Sequence, residues 1–290
     1  MSNKQQKKPG VKNFLYAHRA TTAAGGLAAL GIALLLWKST RATNDRSWVE
    51  EQDTLAVADI DGDEATVRNV RCFDWKTATE PQKRYATRSY DLRRLRSLDF
   101  IVSRFGMRGL AGHTLLSFGF EGGEQLAVSV EIRRTEGQHY SFLRGLFRNY
   151  ELMYVIADER DIIRVRTNIR GEETYLYPIN APLDAIRRLL VSILRRANRL
   201  AQQPEFYNSV WNSCTTNLLE HFNEAGICRT FAHGPRAVVS GLADGLLYDL
   251  GLLGRGVSLR ELRQRHYISK RAKACGDGPG FSAAIRRIEA

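Results

Sequence analysis

One cysteine and one histidine have the surroundings that thiol chemistry needs. Cys214 follows Asn212 and Ser213, and an apolar stripe of Leu218, Leu219 and Phe222 comes after it. Asparagine and serine are preferred N-cap residues, so the pattern predicts a helix that starts at the thiol. The first turn of a helix offers unpaired N–H groups and the positive end of the dipole. Both favour a thiolate over a thiol, and the same N–H groups suit an oxyanion on an acyl substrate. A thiol nucleophile also needs a base, most often histidine, and a third polar group that orients the ring. His113 and Glu131 supply that pair if the segment between them is a hairpin. Blander roles compete: a small buried thiol, and a polar pair that merely satisfies itself. A zinc set of Cys214, His221, Cys228 and His233 lacks the compact ligand pairs of structural zinc, so no metal or cofactor is expected.

The hairpin is "HTLLSFGFEGGEQLAVSVEIRR", residues 113–134. A two-residue loop at Gly122-Gly123 would mix apolar and polar positions on each face. A three-residue loop, Glu121 to Gly123, pairs Phe120 with Glu124 and His113 with Glu131. Leu116, Phe118, Phe120, Leu126, Val128, Val130 and Ile132 then share one face. His113, Leu115, Ser117, Gly119, Ala127, Ser129 and Glu131 share the other. Side chains alternate strictly along strands, so this segregation favours the three-residue loop.

A further strand is expected at 64–75, and strands with short helical turns at 151–170 and 173–179, where polar residues break the apolar stretches; 90–105 reads as strand or short helix leading into a strand. Residues 181–203 predict an amphipathic helix, with Ile186, Leu189, Leu190, Ile193, Leu194, Ala197 and Leu200 at helical spacing and five arginines elsewhere. Glycine-rich links and short helical pieces follow residue 235.

The net charge of +12 suggests nucleic acid at first, but eight basic residues and a single acid lie within residues 1–46, so +7 of it sits there. The body is only mildly basic and carries no nucleic-acid motif; no nucleic-acid partner is expected. Between the basic residues runs "ATTAAGGLAALGIALLLW", residues 20–37, uncharged and without a polar face. Its length suits a membrane span better than a cleaved signal or a buried helix. The flanking charges place the N-terminus in the cytoplasm and residues 45–290 outside, so the expectation is a single-pass protein of a bacterial inner membrane. Four cysteines in an oxidising compartment often form two disulfides, but the spacing of Cys72, Cys214, Cys228 and Cys275 matches no framework.

Three motifs in order, the hairpin above, "GLFRNYELMYVIADERDIIRVRTNIR" and "YNSVWNSCTTN", resemble the Lnb N-terminal periplasmic domain family over roughly residues 47–250. The resemblance implies an α+β, circularly permuted papain-like fold: an antiparallel sheet packed on a cysteine-bearing helix, here preceded by one transmembrane helix. It implies Cys214 as nucleophile, His113 as base and Glu131 as the orienting group, with Ser129, Asp158 and Glu159 as rivals for that third role. Asn212, Thr215, Ser129 and Arg133 would shape the site or the oxyanion hole; two asparagines often precede the cysteine in the family, where this chain has Asn212-Ser213. The implied activity is acyl transfer or hydrolysis on membrane phospholipid and lipoprotein. A cysteine amidase or peptidase on cell-wall peptides and a non-catalytic envelope scaffold are the alternatives. The expected plan is a basic cytoplasmic tail (1–19), a membrane anchor (20–37), a linker (38–63), a papain-like periplasmic catalytic domain (64–250) and a C-terminal extension packed on it (251–290).

Overall fold

A computed structural model of the chain describes residues 31, 41–106, 109–254, 256–276, 278 and 280–288. The chain divides into two units, 1–41 and 42–290, and everything below concerns the second.

Its strands are β1 (Val57–Asp61), β2 (Glu64–Arg71), β3 (Asp74–Trp75), β4 (Pro81–Gln82), β5 (Tyr85–Asp91), β6 (Leu95–Phe105), β7 (Ala111–Phe120), β8 (Gln125–Arg133), β9 (Glu151–Ala157) and β10 (Glu173–Pro178). Its helices are α1 (Glu159–Ile162), α2 (Leu183–Gln202), α3 (Cys214–Glu224), α4 (Pro235–Val238), α5 (Ala243–Asp249), α6 (Leu259–Arg265), α7 (Ser269–Cys275) and α8 (Phe281–Arg286). The main sheet runs β1-β2-β9-β8-β7-β6-β10, with β5 also paired to β2; β3 and β4 pair separately.

The hairpin has the expected register. Leu116 lies opposite Val128 and Phe118 opposite Leu126, and the Phe120 N–H reaches Glu124 at 2.9 Å. Gly122 and Gly123 supply positive φ angles of 92° and 87°, which side-chain-bearing residues rarely adopt. The alternating apolar residues divide between two cores. Leu116, Phe118, Leu126, Val128 and Val130 pack with Ile186, Leu190 and Ile193 of α2 and Leu218 and Phe222 of α3. On the other face Leu115 and Ala127 pack with Ile162, Ile268, Ala272, Phe281 and Ile285. A sheet covered on both faces needs apolar residues at successive positions, and β9 is buried at all seven.

The antiparallel sheet and preceding transmembrane helix expected from the sequence are corrected. The fold is α+β, but the sheet is mixed: β2 runs parallel to β9, meeting it at Arg71 and Ala157, while its other pairings are antiparallel. Among the described residues no helix is long and apolar enough to cross a membrane. The uncharged run at 20–37 lies outside the described residues except for Gly31.

Part of the polar stretch after that run is built into the body. Trp48 is buried, β1 forms a sheet edge, and Asn198 of α2 bonds both the N–H and the C=O of Ala58 at that edge. At the far end of the chain, Arg286 of α8 bonds Asp99 at 2.8 Å and Glu159 at 2.6 Å. Both acids are buried, so the arginine neutralises two charges that apolar surroundings would otherwise penalise.

Candidate active site

Cys214 is the first residue of α3. Ser213 is its N-cap: the serine side chain accepts from the Thr216 N–H, and the Thr216 hydroxyl accepts from the Ser213 N–H at 2.8 Å. This reciprocal cap fixes the start of the helix and therefore the position of the thiol. Asn212 makes its side-chain hydrogen bonds with the loop and the helix rather than with the thiol. Its amide donates to Phe206 O at 2.9 Å and accepts from Asn217 at 2.8 Å, tying the preceding loop to the helix.

His113 projects from β7, Ser129 and Glu131 from β8. The ladder between these strands is regular as far as Leu115 and Ser129, just short of the histidine. Imidazole Nε2 lies 2.6 Å from Ser129 Oγ and 3.2 Å from Glu131 Oε1. Ser129 donates to Glu131 at 2.7 Å, so it accepts from the ring, which assigns the proton to Nε2. Nδ1 is left for the thiol. Arg166, from a turn of π-helix at Val165–Ile169, holds the same carboxylate oxygen at 2.9 Å.

The charges follow from this packing. Burial, the largest single influence, pushes the His113 imidazolium towards neutrality and Arg166 assists it, but the Glu131 carboxylate and the charge and hydrogen bond of Cys214 together outweigh them, and the pKa rises to about 9. Burial pushes the Cys214 thiol up. The charge of His113 and its hydrogen bond, the Thr114 backbone N–H and the Ser240 hydroxyl outweigh it and bring the pKa down to about 6. Glu131 is held well below the ordinary carboxylate range: burial opposes this, and the charges of His113 and Arg166 prevail. Between those two values the pair is a thiolate and an imidazolium.

A hydroxyl network braces the sulfur from below. Ser240 Oγ lies 3.6 Å and Thr215 Oγ1 3.9 Å from Sγ, Thr215 donates to Ser240 at 3.0 Å, and Thr114 and Thr215 meet at 3.2 Å. Ser240 reaches this place because two glycines let backbones touch. A Cβ on Gly112 would come within 2.8 Å of Gly241, and one on Gly241 within 2.2 Å of the Gly109 carbonyl.

The thiol opens on a cleft of about 570 Å³. Phe105, Leu110, Tyr140 and Phe142 give it apolar walls, and Arg71, Arg134, Arg166 and Arg170 line it together with Glu51, Glu131 and Glu172, Arg134 paired with Glu51 and Arg166 with Glu131. Tyr207 lines it too, with its buried hydroxyl against the Cys214 backbone N–H.

Cys214, His113, Ser129, Glu131 and Thr215 therefore come together, and Arg133 does not join them. Its guanidinium bonds the carbonyls of Gln52 and Asp53 and the side chain of Asn44, and stacks on Trp48. Asp158 caps α1 and pairs with Arg88, and Glu159 pairs with Arg286, so neither reaches the imidazole. Among the described residues no group of three or more histidine, cysteine or acidic side chains is arranged to hold a metal, and all four cysteines are free. Arg166, Tyr207 and Ser240 carried no mark in the sequence; each arrives through long-range packing.

A family model for the Lnb N-terminal periplasmic domain matches residues 81–236, more than half of the chain. The chain belongs to that family. The match spans the hairpin, the histidine strand and the cysteine helix, and it makes the matched segment a periplasmic domain of the cell envelope. No curated protein and no solved structure matches, so the papain-like fold expected above finds no structural relative.

Proposed function

We propose that the protein is a thiol-dependent acyltransferase or acyl hydrolase of the envelope, acting on phospholipid and lipoprotein. The observation that carries this reading is the thiol, imidazole, hydroxyl and carboxylate array at the start of a helix, open to a cleft with apolar walls and paired charges. The apolar walls suit the acyl chain of an amphiphile.

The Cys214 thiolate attacks the ester carbonyl carbon, and the carbonyl electron pair moves to oxygen. In this reading the Tyr207 hydroxyl, itself held by the Cys214 N–H, serves as a donor to that oxyanion. Collapse breaks the ester C–O bond, and the departing alkoxide takes a proton from His113. The thioester is then attacked by an amine or by water, whose proton passes to His113, and expulsion of the thiolate restores the site. Ser129 and Glu131 orient the ring and stabilise its charged form. An amidase on cell-wall peptides would use the same array, and a scaffold would use none of it.

A lipid-like acyl thioester probe and a peptide thioester probe discriminate among these. With the full chain, the acyl label maps to Cys214 by mass spectrometry, is lost in Cys214→Ser and falls in His113→Ala, each variant checked for folding by circular dichroism. Preference for the peptide probe would move the reading to an amidase. A reduced, folded protein inert to both probes would sink the catalytic reading.

A further inference from the structure

The exposed large hydrophobic residues are not scattered. Apart from Leu183 and Ile288, those among the described residues fall in four segments, 105–113, 140–147, 206–214 and 231–242. Leu110, Tyr140, Leu143, Phe147, Trp211 and Phe231 are 50% to 70% exposed. Each segment contributes to the wall of the thiol's cleft. The segments also touch one another: Ser209 donates to Phe142 O at 2.9 Å, His233 Nε2 meets Trp211 O at 3.1 Å, and the Gly241 N–H reaches Leu110 O. Phe105, Leu110, Tyr140 and Phe142 line the cleft, and Leu143, Phe147, Trp211 and Phe231 stand on the same segments, which make up its rim. Single exposed apolar residues are ordinary on a protein surface, but a contiguous exposed set marks a docking surface.

The charge of the rim identifies the partner. The four segments contain no aspartate or glutamate, although the chain has 31. Exposed Arg144 and Arg236 lie within them, and exposed Arg148 and Arg229 border them; from outside the segments Asp249 pairs with Arg236 and Glu220 with His233. The Arg148 guanidinium lies over the Phe206 ring, 5.8 Å from its centroid. Aromatic and aliphatic tips with interspersed arginines and no acid of their own suit the interface of an anionic bilayer: the rings and aliphatic tips enter the headgroup layer, and guanidinium groups such as that of Arg144 meet phosphates. A protein partner would more commonly meet a surface with both signs of charge.

We infer that the rim of the cleft docks on an anionic lipid surface, with Leu143, Phe147, Trp211 and Phe231 entering the interface and the cleft mouth facing the membrane. This rests on the rim alone and stands whether or not Cys214 is a nucleophile.

The test reads Trp211 locally, so it is independent of the uncharged run at residues 20–37. Tryptophan fluorescence of the full chain is compared with that of Trp211→Phe, and the difference isolates Trp211. The protein is mixed with vesicles of acyl-brominated phosphatidylcholine, alone or together with phosphatidylglycerol. The expected result is a blue shift and bromine quenching of Trp211 in the anionic vesicles, weaker in the zwitterionic ones. Both effects are lost in Leu143→Asp/Phe231→Asp and reduced in Arg144→Glu, with unchanged circular dichroism. Solvent-like, unquenched Trp211 emission in both vesicle types would overturn the inference. Equal quenching in both would overturn its anionic part. A shift that grows with protein concentration without lipid would assign the rim to a second copy of the chain instead.

Discussion

His113 is half-buried and His221 buried; each is bonded to a serine, and each serine bonds a glutamate. Their charges differ. His113 is raised to about 9. His221 is lowered to about 4: burial leads, Glu224 opposes it, and Arg196 and Arg199 assist. One difference is the carboxylate. Glu131 is 20% exposed and touches the ring at 3.2 Å, whereas Glu224 is 61% exposed and its charge is spent largely on water. The other is valence. Both nitrogens of His221 are taken by hydroxyls, from Tyr154 at 2.9 Å and Ser192 at 2.7 Å. His113 spends one nitrogen on Ser129 and Glu131 and keeps the other for the sulfur. The same three residue types thus build a structural joint in one place and a charged base in the other.

The largest test of this contrast removes each ring. His113→Ala is expected to slow Cys214 acylation by ~10²–10⁴-fold, the range of a lost general acid-base group, measured as probe-labelling rate. His221→Gln strands buried hydroxyl groups at a cost of about 1–3 kcal/mol in urea denaturation, and the pH dependence of labelling stays in place. Equal loss of labelling from both variants would collapse the distinction.

A smaller effect comes from the carboxylates. Glu131→Gln keeps the shape and removes the charge, so the thiol pKa should climb from about 6 and the imidazole pKa should fall from about 9. Each unit costs ~10-fold in thiolate below the pKa, read as iodoacetamide labelling near pH 6. Glu224→Gln should leave labelling unchanged and stability within about 0.5 kcal/mol.

The smallest is a pH profile of the native protein. Alkylation of Cys214 should rise through about pH 6, while burial keeps Cys72 and Cys228 above the ordinary thiol value and silent there, as peptide mapping would show. The linkage signs differ between the two histidines. His113 is raised, so its contribution to stability is full below 6.5 and is lost as pH rises through about 9. His221 is depressed, so its contribution is present above 6.5 and is lost as pH falls through about 4. Imidazole NMR titrations would place the two midpoints on opposite sides of 6.5.

What the sequence made legible was local. Strict alternation and a glycine-bearing loop set the hairpin register, and with it the meeting of His113 and Glu131. The cap at Ser213 set the helix at Cys214, and helical spacing set α2. What stayed hidden depends on distant chain. Ser129 was a rival to Glu131 because alternation places both on the face of the histidine; only the three-dimensional placement shows that it bridges them. Arg166 comes from a single turn of π-helix, a form with no periodic signature. Arg133 shares a motif with Ser129 and Glu131, yet its guanidinium is captured by the backbone at 52–53, within a stretch whose polar composition reads as a linker.

Arg286 carries a consequence for how the chain is made. The family match closes at residue 236, but the charges of Asp99 and Glu159 are closed by Arg286. Synthesis delivers the two acids long before the arginine. Until Arg286 arrives, packing that face of the sheet would strand two carboxylates in an apolar interior, so the face is held open to water. If folding begins during synthesis, the face carrying Cys214 and α2 is expected to consolidate before the opposite face closes.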